Sequence, residues 1–227
     1  MKIVLSNFTV KMLFPGYVGL DLIEEAGRTC YKSSINGASG ISSAYDFIKR
    51  HAIEGGHESM LEHVSVSVLV VCDLGVSQEW TRHRLVRVDD DFMFDMEWNP
   101  GVSAESSRFC NYSKEKFGSN ISFIDIRSHL KNPESAEVWL SACAFAEKSY
   151  FRMLELGESP QIARSVLNRS TKTEMFLTAN LREWRRFFRL RAVGESGKPH
   201  PQMLEITIPM LKKFKELIPV VFDDIEI

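Results

Sequence analysis

The segment Asn180–Arg191 constrains the fold of this chain most, because its cationic and aromatic residues separate cleanly only on a helix. At about 100° per residue, four arginines fall on one side of that helix and three aromatic rings on the other. The arginines are Arg182, Arg185, Arg186 and Arg189, and the aromatic residues are Trp184, Phe187 and Phe188. The rings need a core to cover them. The arginine side is predicted to face solvent and is either simply solvated or a phosphate-binding surface, and so dense a positive charge is more typical of the second.

A fifth arginine, Arg191, falls in the middle of the aromatic side if the helix extends that far. A guanidinium on an apolar face needs an anionic or acceptor partner, because burying it alone is very costly. Two interpretations remain open at this point. Arg191 either forms a structural ion pair with a carboxylate in the core or contacts a polar ligand.

The composition is that of an ordinary globular protein, with 44% hydrophobic and 26% charged residues and a formal net charge of −2. This argues against disorder, and the near-neutral balance argues against a general nucleic-acid binder. We find neither a signal-peptide pattern nor an apolar run long enough to span a membrane. The four cysteines are widely spaced and form no CxxC pair, so we expect reduced thiols in a cytoplasmic protein.

Hydrophobic periodicity predicts strands and helices that alternate without a regular βαβ rhythm, which favours an α+β fold over a doubly wound sheet. The predicted strands are 2–14, 62–72 and 173–178, and the predicted helices are 20–31, 43–53, 75–84, 134–156, 160–168, 180–191 and 202–217. Residues 88–102 are acidic and irregular, which predicts a loop. The segment 194–201 (GESGKPHP) predicts a flexible joint.

The segment His57–His63 combines histidines and carboxylates in a way that invites a metal-site interpretation, but the spacing excludes the common zinc motifs. Leu61 and Ser59 occupy the positions where the HExxH and HxxEH motifs require a histidine. By the motif alone, His57 and His63 are better interpreted as capping or core histidines.

A second cationic cluster, Arg82-His83-Arg84, is followed downstream by the segment Glu105-Ser106-Ser107-Arg108-Phe109. Taken alone, the cluster is equally well explained as the cationic end of a helix, which the helix dipole favours. Combined with a hydroxyl and a carboxylate in a protein of low net charge, it suits a compact site for several phosphate groups. It suits a surface for long nucleic acid less well.

Four segments, taken in order, resemble the landmarks of the flavin-dependent thymidylate synthases. They are His57-Glu58-x3-Glu62-His63; Gln78-x-Trp80-x-Arg82-His83-Arg84; Glu105-Ser106-x-Arg108-Phe109-Cys110-Asn111-Tyr112-Ser113; and Ala163-Arg164-x-Val166-Leu167 with Thr173, Asn180, Arg182 and Leu190-Arg191. The resemblance spans about residues 1–215 and implies a single domain over residues 1–227, with a mixed sheet core, flanking helices and a helical part. It also implies a homotetramer whose active sites are each built from more than one subunit.

The chemistry that the resemblance implies is the reductive methylation of dUMP to dTMP. The carbon comes from the folate 5,10-methylenetetrahydrofolate, and FAD, itself reduced by NADPH, supplies the hydride. No activated cysteine is required, and no metal, nucleic acid or membrane partner is implied. Activation falls instead to polarising the uracil ring and positioning it against the flavin.

The resemblance also assigns roles to residues of this chain. Catalytic roles are implied for Arg191, Ser106 and His57, with Arg191 against the uracil ring, where it favours the ionised form. The residues implied to bind FAD are Ser59, Glu62, Arg82, His83, Arg84, Asn180, Arg182 and Arg186. Those implied to bind dUMP are Gln78, Glu79, Arg82, Glu105, Ser106, Arg108, Arg164 and Arg191.

The chain departs from the family pattern between Arg84 and Ser106, where more residues intervene than usual. We interpret residues 85–104 as an inserted surface loop, since added loop length costs little free energy. Glu79 replaces a usual glutamine and Gln161 a usual glutamate, as if a charge had been exchanged. These departures motivate a second hypothesis, in which the same fold methylates or hydroxymethylates another pyrimidine nucleotide such as UMP. A distant third hypothesis is a nucleic-acid binding module.

Overall fold

A computed structural model of the chain describes residues 1–11, 16–33, 41–81, 101–115 and 118–227. The chain forms two compact units, each assembled from separate stretches of sequence. Unit 1 comprises Met1–Phe8 and Leu69–Phe176, and unit 2 comprises Thr9–Val68 and Leu177–Ile227. The single-domain organisation over residues 1–227 stays a prediction.

The described residues contain both strands and helices, as expected for an α+β fold. The strands are β1 (Lys2–Val4), β2 (Asn7–Lys11), β3 (Ser65–Asp73), β4 (Gly101–Ala104), β5 (Ser122–Ile124) and β6 (Lys172–Asn180). The helices are α1 (Gly16–Tyr31), α2 (Ile41–Ile48), α3 (Leu74–Thr81), α4 (Pro133–Glu155), α5 (Pro160–Ala163), α6 (Leu181–Phe188), α7 (Pro201–Leu217) and α8 (Pro219–Phe222). Short stretches of 3₁₀ helix, called 3₁₀ turns below, cover Glu58–His63, Arg127–His129 and Arg164–Val166, and π-helical turns cover Lys49–Glu54 and Arg189–Val193.

The strands form two sheets. Strand β1 pairs in parallel with β5, with Ile3 opposite Phe123. The other sheet has the strand order β2-β3-β6-β4. Strands β3 and β6 are the two central strands of that sheet, and both are rich in buried apolar side chains. The α+β prediction is therefore confirmed.

The core of unit 1 lies between β5 and the long helix α4. Phe123, Trp139, Cys143 and Tyr150 pack together with Ile121, Ala146 and Ala163. Helix α4 begins where it does because Pro133 occupies its first turn and the side chain of Asn132 accepts a hydrogen bond from the Ser135 amide, at 2.8 Å.

The core of unit 2 is built on the aromatic side of α6, as the periodicity predicts. Phe188 packs against Trp184, Phe187, Phe214 of α7 and Phe222 of α8, with ring centroids 5.0–5.9 Å apart. Edge-to-face and offset ring pairs of this kind stabilise a core beyond the area they bury. Helix α6 is thereby fixed within its unit, and with it the arginines that it carries.

Three predicted elements need correction. The predicted strand 2–14 is two strands, β1 and β2, and residues 12–14 lie outside the described residues. Residues 62–63 belong to a 3₁₀ turn and not to β3, and the predicted helix 160–168 contains only α5 and one 3₁₀ turn. The remaining predicted helices are present with shifted ends, except that residues 82–84 of the predicted helix 75–84 lie outside the described residues.

The predicted inserted loop 85–104 is also wrong at its C-terminal end, because residues 101–104 form β4. This strand lies at the edge of its sheet, and all four of its residues are exposed, so it shows no apolar alternation. Residues 85–100 lie outside the described residues. Within the described part of the chain, we find no helix with the length and apolarity that a membrane crossing needs.

Candidate active site

In unit 1, Arg164 contacts the segment that follows β4. Its Nη1 donates a hydrogen bond to Ser107 Oγ at 3.2 Å, although the two residues are 57 positions apart. Arg108 is exposed, and its guanidinium lies 5.4 Å from the centre of the Phe109 ring. Phosphate groups are commonly bound by guanidinium and hydroxyl donors on a turn, and this segment offers both. The turn itself is held by the Ser106 carbonyl, which accepts from the amides of Phe109 and Cys110.

Glu105, the first residue of the same segment, already has two side-chain partners. It accepts hydrogen bonds from the Tyr112 hydroxyl at 2.8 Å and from Lys172 Nζ at 3.2 Å. Burial, followed by the nearby Glu105 carboxylate, raises the pKa of Tyr112. Burial lowers the pKa of Lys172, but its hydrogen bond to Glu174 and the charges of Glu105 and Glu174 outweigh burial and raise it. Lys172 therefore stays charged and holds Glu105 in place.

Glu105, Tyr112 and Lys172 line a cavity of about 340 Å³ in unit 1. Sequence reasoning missed both Tyr112 and Lys172 as partners of Glu105. Tyr112 lies in the resembling segment but was assigned no role, and Lys172 lies outside the resembling segments, 67 positions from Glu105. The only feature of the sequence that pointed to Lys172 was the pair of charged residues Lys172 and Glu174, and such pairs are as common on exposed strands as in functional sites.

Helix α3 carries Gln78 and Glu79, two of the predicted nucleotide-binding residues. The Gln78 Oε1 atom accepts a hydrogen bond from Arg169 Nη1 at 2.7 Å, so Arg169 fixes the orientation of this amide. Glu79 is half-buried. Arg82, His83 and Arg84 follow the end of α3 and lie outside the described residues.

In unit 2, α6 contacts the 3₁₀ turn Glu58–His63, so two of the resembling segments meet. Arg182, 39% exposed at its side chain, forms an ion pair with the exposed Glu62. Asn180 is 6% exposed, and its Oδ1 caps α6 by accepting from the Glu183 amide at 2.8 Å. Arg186 is exposed. Ser59 is exposed on the same turn as Glu62.

The prediction of a solvent-facing arginine side is wrong for Arg185. This residue is 0% exposed, because it lies between Glu58 and Asp224, which supply the anionic partners that a buried guanidinium requires. A structural ion pair was one of the two interpretations left open for Arg191, but on this helix it is Arg185 that forms one. The helical period placed Arg185 correctly beside Arg182 and Arg189, but it could not show which other segments cover that side.

Arg191 lies in the π-helical turn Arg189–Val193 and is half-buried. Its carbonyl accepts a hydrogen bond from Thr207 Oγ1 at 2.8 Å, which fixes the backbone of the turn. Its Nε is buried and has no hydrogen-bond partner among the described residues. A buried donor without a partner is costly, and π-helical turns are frequent at functional sites. This geometry fits a guanidinium that meets a ligand better than one that serves the core.

His57 and His63 are both exposed, so the core interpretation of these histidines is wrong. His57 precedes the 3₁₀ turn without a side-chain capping bond, and its ring lies 6.0 Å from that of Tyr31 in an edge-on arrangement. Its amide donates to the His51 carbonyl at 3.0 Å. Among the described residues, no three His, Cys, Asp or Glu side chains are grouped as a metal site would require.

The donors of unit 2 fit an anionic dinucleotide such as FAD. Arg182 and Arg186 are accessible cations on one helix, and Arg191 has a buried donor without a described partner. Guanidinium groups bind phosphate oxygens in pairs, and a flavin diphosphate offers several such oxygens. The accessible His57 and Ser59 add polar groups at the neighbouring turn.

Comparison with solved structures shows the same fold. A UMP/dUMP methylase, PolB from Streptomyces cacaoi, bound with 5-Br dUMP, superposes with a TM-score of 0.73 at 19% identity, covering 98% of this chain and 96% of that one. Thymidylate Synthase X from Helicobacter pylori, with FAD and dUMP, gives a TM-score of 0.67 at 20% identity, covering 96% and 98%.

Sequence comparison gives relatives of similar length. A flavin-dependent thymidylate synthase of Corynebacterium glutamicum is 30% identical over 223 residues, covering 91% of this chain and 79% of the relative. A protein of the same name from Mycolicibacterium vanbaalenii is 29% identical over 226 residues, covering 92% and 80%. The family profile described as "Thymidylate synthase complementing protein" (Thy1) matches residues 18–220. The chain therefore belongs to the Thy1 family of enzymes, the flavin-dependent thymidylate synthases.

Proposed function

We propose that this enzyme converts dUMP to dTMP, with methylenetetrahydrofolate as carbon donor and with FAD and NADPH as the reducing system. The observation that carries the proposal is the contact between Arg164 and Ser107 in unit 1. It brings two segments that resemble the family's nucleotide-binding motifs together across 57 positions of sequence. Family membership supports the reaction class, and the named relatives are flavin-dependent.

The nucleotide phosphate is bound by Arg164 and Arg108, with Ser106 and Ser107 donating from the turn. A nucleoside monophosphate carries up to two negative charges, which two guanidinium groups match without burying an unpaired cation. Arg164 is held ready by its hydrogen bond to Ser107. On this proposal the phosphate anchors the substrate, and the binding energy that it supplies holds the base in position for reaction.

The FAD diphosphate is bound by Arg182 and Arg186 of α6. The resemblance to the family assigns Arg82, His83 and Arg84, which lie outside the described residues, to the same cofactor. Once bound, FAD supplies the hydride that completes the new methyl group, after its own reduction by NADPH. Glu62 keeps Arg182 oriented through their ion pair, and His57 and Ser59 line the flavin pocket at the preceding turn. Asn180 caps α6 and so fixes the end of the helix beside which Arg182 lies.

Arg191 polarises the pyrimidine ring. A fixed cation beside a ring that gains negative charge stabilises the transition state more than the ground state, which is the condition for catalysis. The Thr207 hydrogen bond to the Arg191 carbonyl fixes the backbone from which this side chain extends. The Nε without a described partner is the donor that the ring oxygen or nitrogen would satisfy.

The active form is a cytoplasmic homotetramer in which subunits share active sites. One face of α4 supports assembly, because Val138 and Phe145, two helical turns apart, are 70% and 73% exposed. Large apolar side chains exposed in a row are unfavourable in water and commonly mark contacts between proteins.

The experiment is product analysis with the purified enzyme. dUMP, methylenetetrahydrofolate, NADPH and FAD are mixed with it, and nucleotides are identified by mass spectrometry, with each component omitted in turn. We expect dTMP only in the complete mixture. The variant Arg164→Gln should lower product formation at limiting dUMP, whereas Arg152→Gln on the exposed side of α4 serves as a control of equal charge change. Product that persists without FAD would overturn the proposal.

A second candidate substrate is UMP. The structurally similar PolB of Streptomyces cacaoi is named as a UMP/dUMP methylase, and its fold matches this chain over 98% of the length. UMP differs only in its 2′-hydroxyl, which a site must accommodate or reject. Parallel reactions with dUMP and UMP at equal concentration decide between the two, through the ratio of their kcat/KM values. Preference for UMP, or a hydroxymethylated product, would replace the first candidate.

A further inference from the structure

Arg185 is the largest fully buried side chain in the described part of the chain, and all three of its guanidinium nitrogens donate hydrogen bonds. Its Nε donates to Glu58 Oε1 at 2.8 Å. Its Nη1 and Nη2 donate to the two carboxylate oxygens of Asp224, at 2.6 and 2.7 Å, and Nη1 also donates to the Val221 carbonyl. This two-pronged pairing is the strongest geometry available to an arginine.

The partners of Arg185 come from separate segments of unit 2. Glu58 opens the 3₁₀ turn that carries Glu62, and Asp224 lies in the segment 219–227, followed by three residues of the sequence. Arg185 itself stands on α6 between Arg182 and Arg186, and so connects the helix, the turn and the C-terminal segment.

Arg189 strengthens the same connection at longer range. Its Nη2 lies 3.5 Å from Glu58 Oε1 and 3.6 Å from Asp224 Oδ2. The two arginines and two carboxylates sum to zero charge, and Glu195 Oε1 lies 3.9 Å from Arg189 Nε, so no anionic ligand is needed to balance the two arginines. Because Arg185 itself is fully buried and all its guanidinium nitrogens are paired, it does not contact a substrate directly, which leaves positioning as its contribution.

We propose that Arg185 and Asp224 are positioning residues for cofactor binding, and that the C-terminal segment 219–227 locks α6 against the 3₁₀ turn. This inference rests on the proposed function, since it takes α6 and the 3₁₀ turn to be parts of the FAD-binding site. The lock sets the separation between Glu62 on the turn and Arg182 on the helix. When the pairing between Arg185 and Asp224 is lost, α6 and the 3₁₀ turn still carry Arg182 and Glu62, but the distance between these two residues is no longer fixed. Misplacement of about 1 Å by a remote change is enough to weaken a site strongly.

The chain offers a matched pair of variants that tests the lock. Asp224→Asn and Asp223→Asn each remove one negative charge at adjacent, exposed positions. The carboxylate of Asp224 accepts two hydrogen bonds from Arg185, whereas no hydrogen bond to the Asp223 side chain is formed within the described residues. Apoprotein of each variant is titrated with FAD, followed by flavin fluorescence, and its unfolding midpoint in urea is recorded. We expect the Kd for FAD to rise about tenfold or more in Asp224→Asn and less than about twofold in Asp223→Asn. Asp224→Glu should recover most of the affinity.

Two results would overturn the proposal: unchanged FAD affinity in folded Asp224→Asn, or equal losses in both asparagine variants. If Asp224→Asn does not fold, Arg189→Gln decides, because it removes only the longer contacts. We expect about a threefold weaker FAD affinity in that variant, and wild-type affinity there would likewise overturn the lock. If the wild-type protein binds no FAD, the proposed function itself is wrong. If the wild type binds FAD and Asp224→Asn binds it with the same Kd, only the positioning role is wrong.

Discussion

Replacement of Phe188 by alanine should remove much of the stability of the protein. Phe188 is 0% exposed and contacts Trp184, Phe187, Phe214 and Phe222 through ring pairs. Truncating a buried phenylalanine costs about 3–5 kcal/mol, and each aromatic pair adds about 0.5–1.5 kcal/mol beyond its buried area. Four such pairs place the expected loss at the upper end, about 4–5 kcal/mol. That is a large part of the 5–15 kcal/mol by which domains are typically stable.

The assay is urea unfolding followed by circular dichroism, at one fixed protein concentration and without ligands. Phe109→Ala is the matched control, since Phe109 is 77% exposed and its ring contacts only the Arg108 guanidinium among the described contacts. That variant should lose about 1 kcal/mol or less. If Phe188→Ala lost no more than the control, the aromatic cluster would not be what fixes α6, and the reasoning would fail.

Three further predictions concern the site. Arg191→Ala should bind FAD normally but form dTMP about a hundredfold more slowly, measured by flavin absorbance and product analysis, and an unchanged rate would refute its role. Arg164→Gln should raise the KM for dUMP about tenfold or more while Arg152→Gln leaves it unaltered, as initial rates would reveal. Burial alone would raise the pKa of Asp224, but hydrogen bonds and charge from Arg185 bring it below its ordinary 3.8. Its stabilising contribution is thus complete above that value and is lost as the pH falls below it. The difference in unfolding midpoint between wild type and Asp224→Asn should therefore shrink from about pH 6 to about pH 3, and a constant difference would contradict this.

The parts of the fold that the sequence predicts are those with a local period. The aromatic side of α6 follows from the spacing of Trp184, Phe187 and Phe188, and all three are buried as predicted. Strand β4 was missed because an exposed strand at a sheet edge carries no alternation, so nothing in its residues separates it from a loop.

The candidate site residues that lie in motifs could be predicted from the sequence. The contacts that they make with distant segments outside those motifs could not. The hydrogen bond from Arg164 to Ser107 joins two motif segments that sequence reasoning had already paired. The environment of Arg185 was not predictable, because Glu58 lies 127 positions away and Asp224 lies 39 positions away. A helical period shows which residues share a side, but only the tertiary fold shows whether that side faces water.

The most direct test of the account is a titration of the purified protein with FAD, followed by addition of NADPH with and without dUMP. The account predicts saturable flavin binding and a loss of the absorbance of the oxidised flavin when NADPH and dUMP are both present. A protein that gains no flavin at any FAD concentration, or whose bound flavin is indifferent to NADPH and dUMP together, would contradict it.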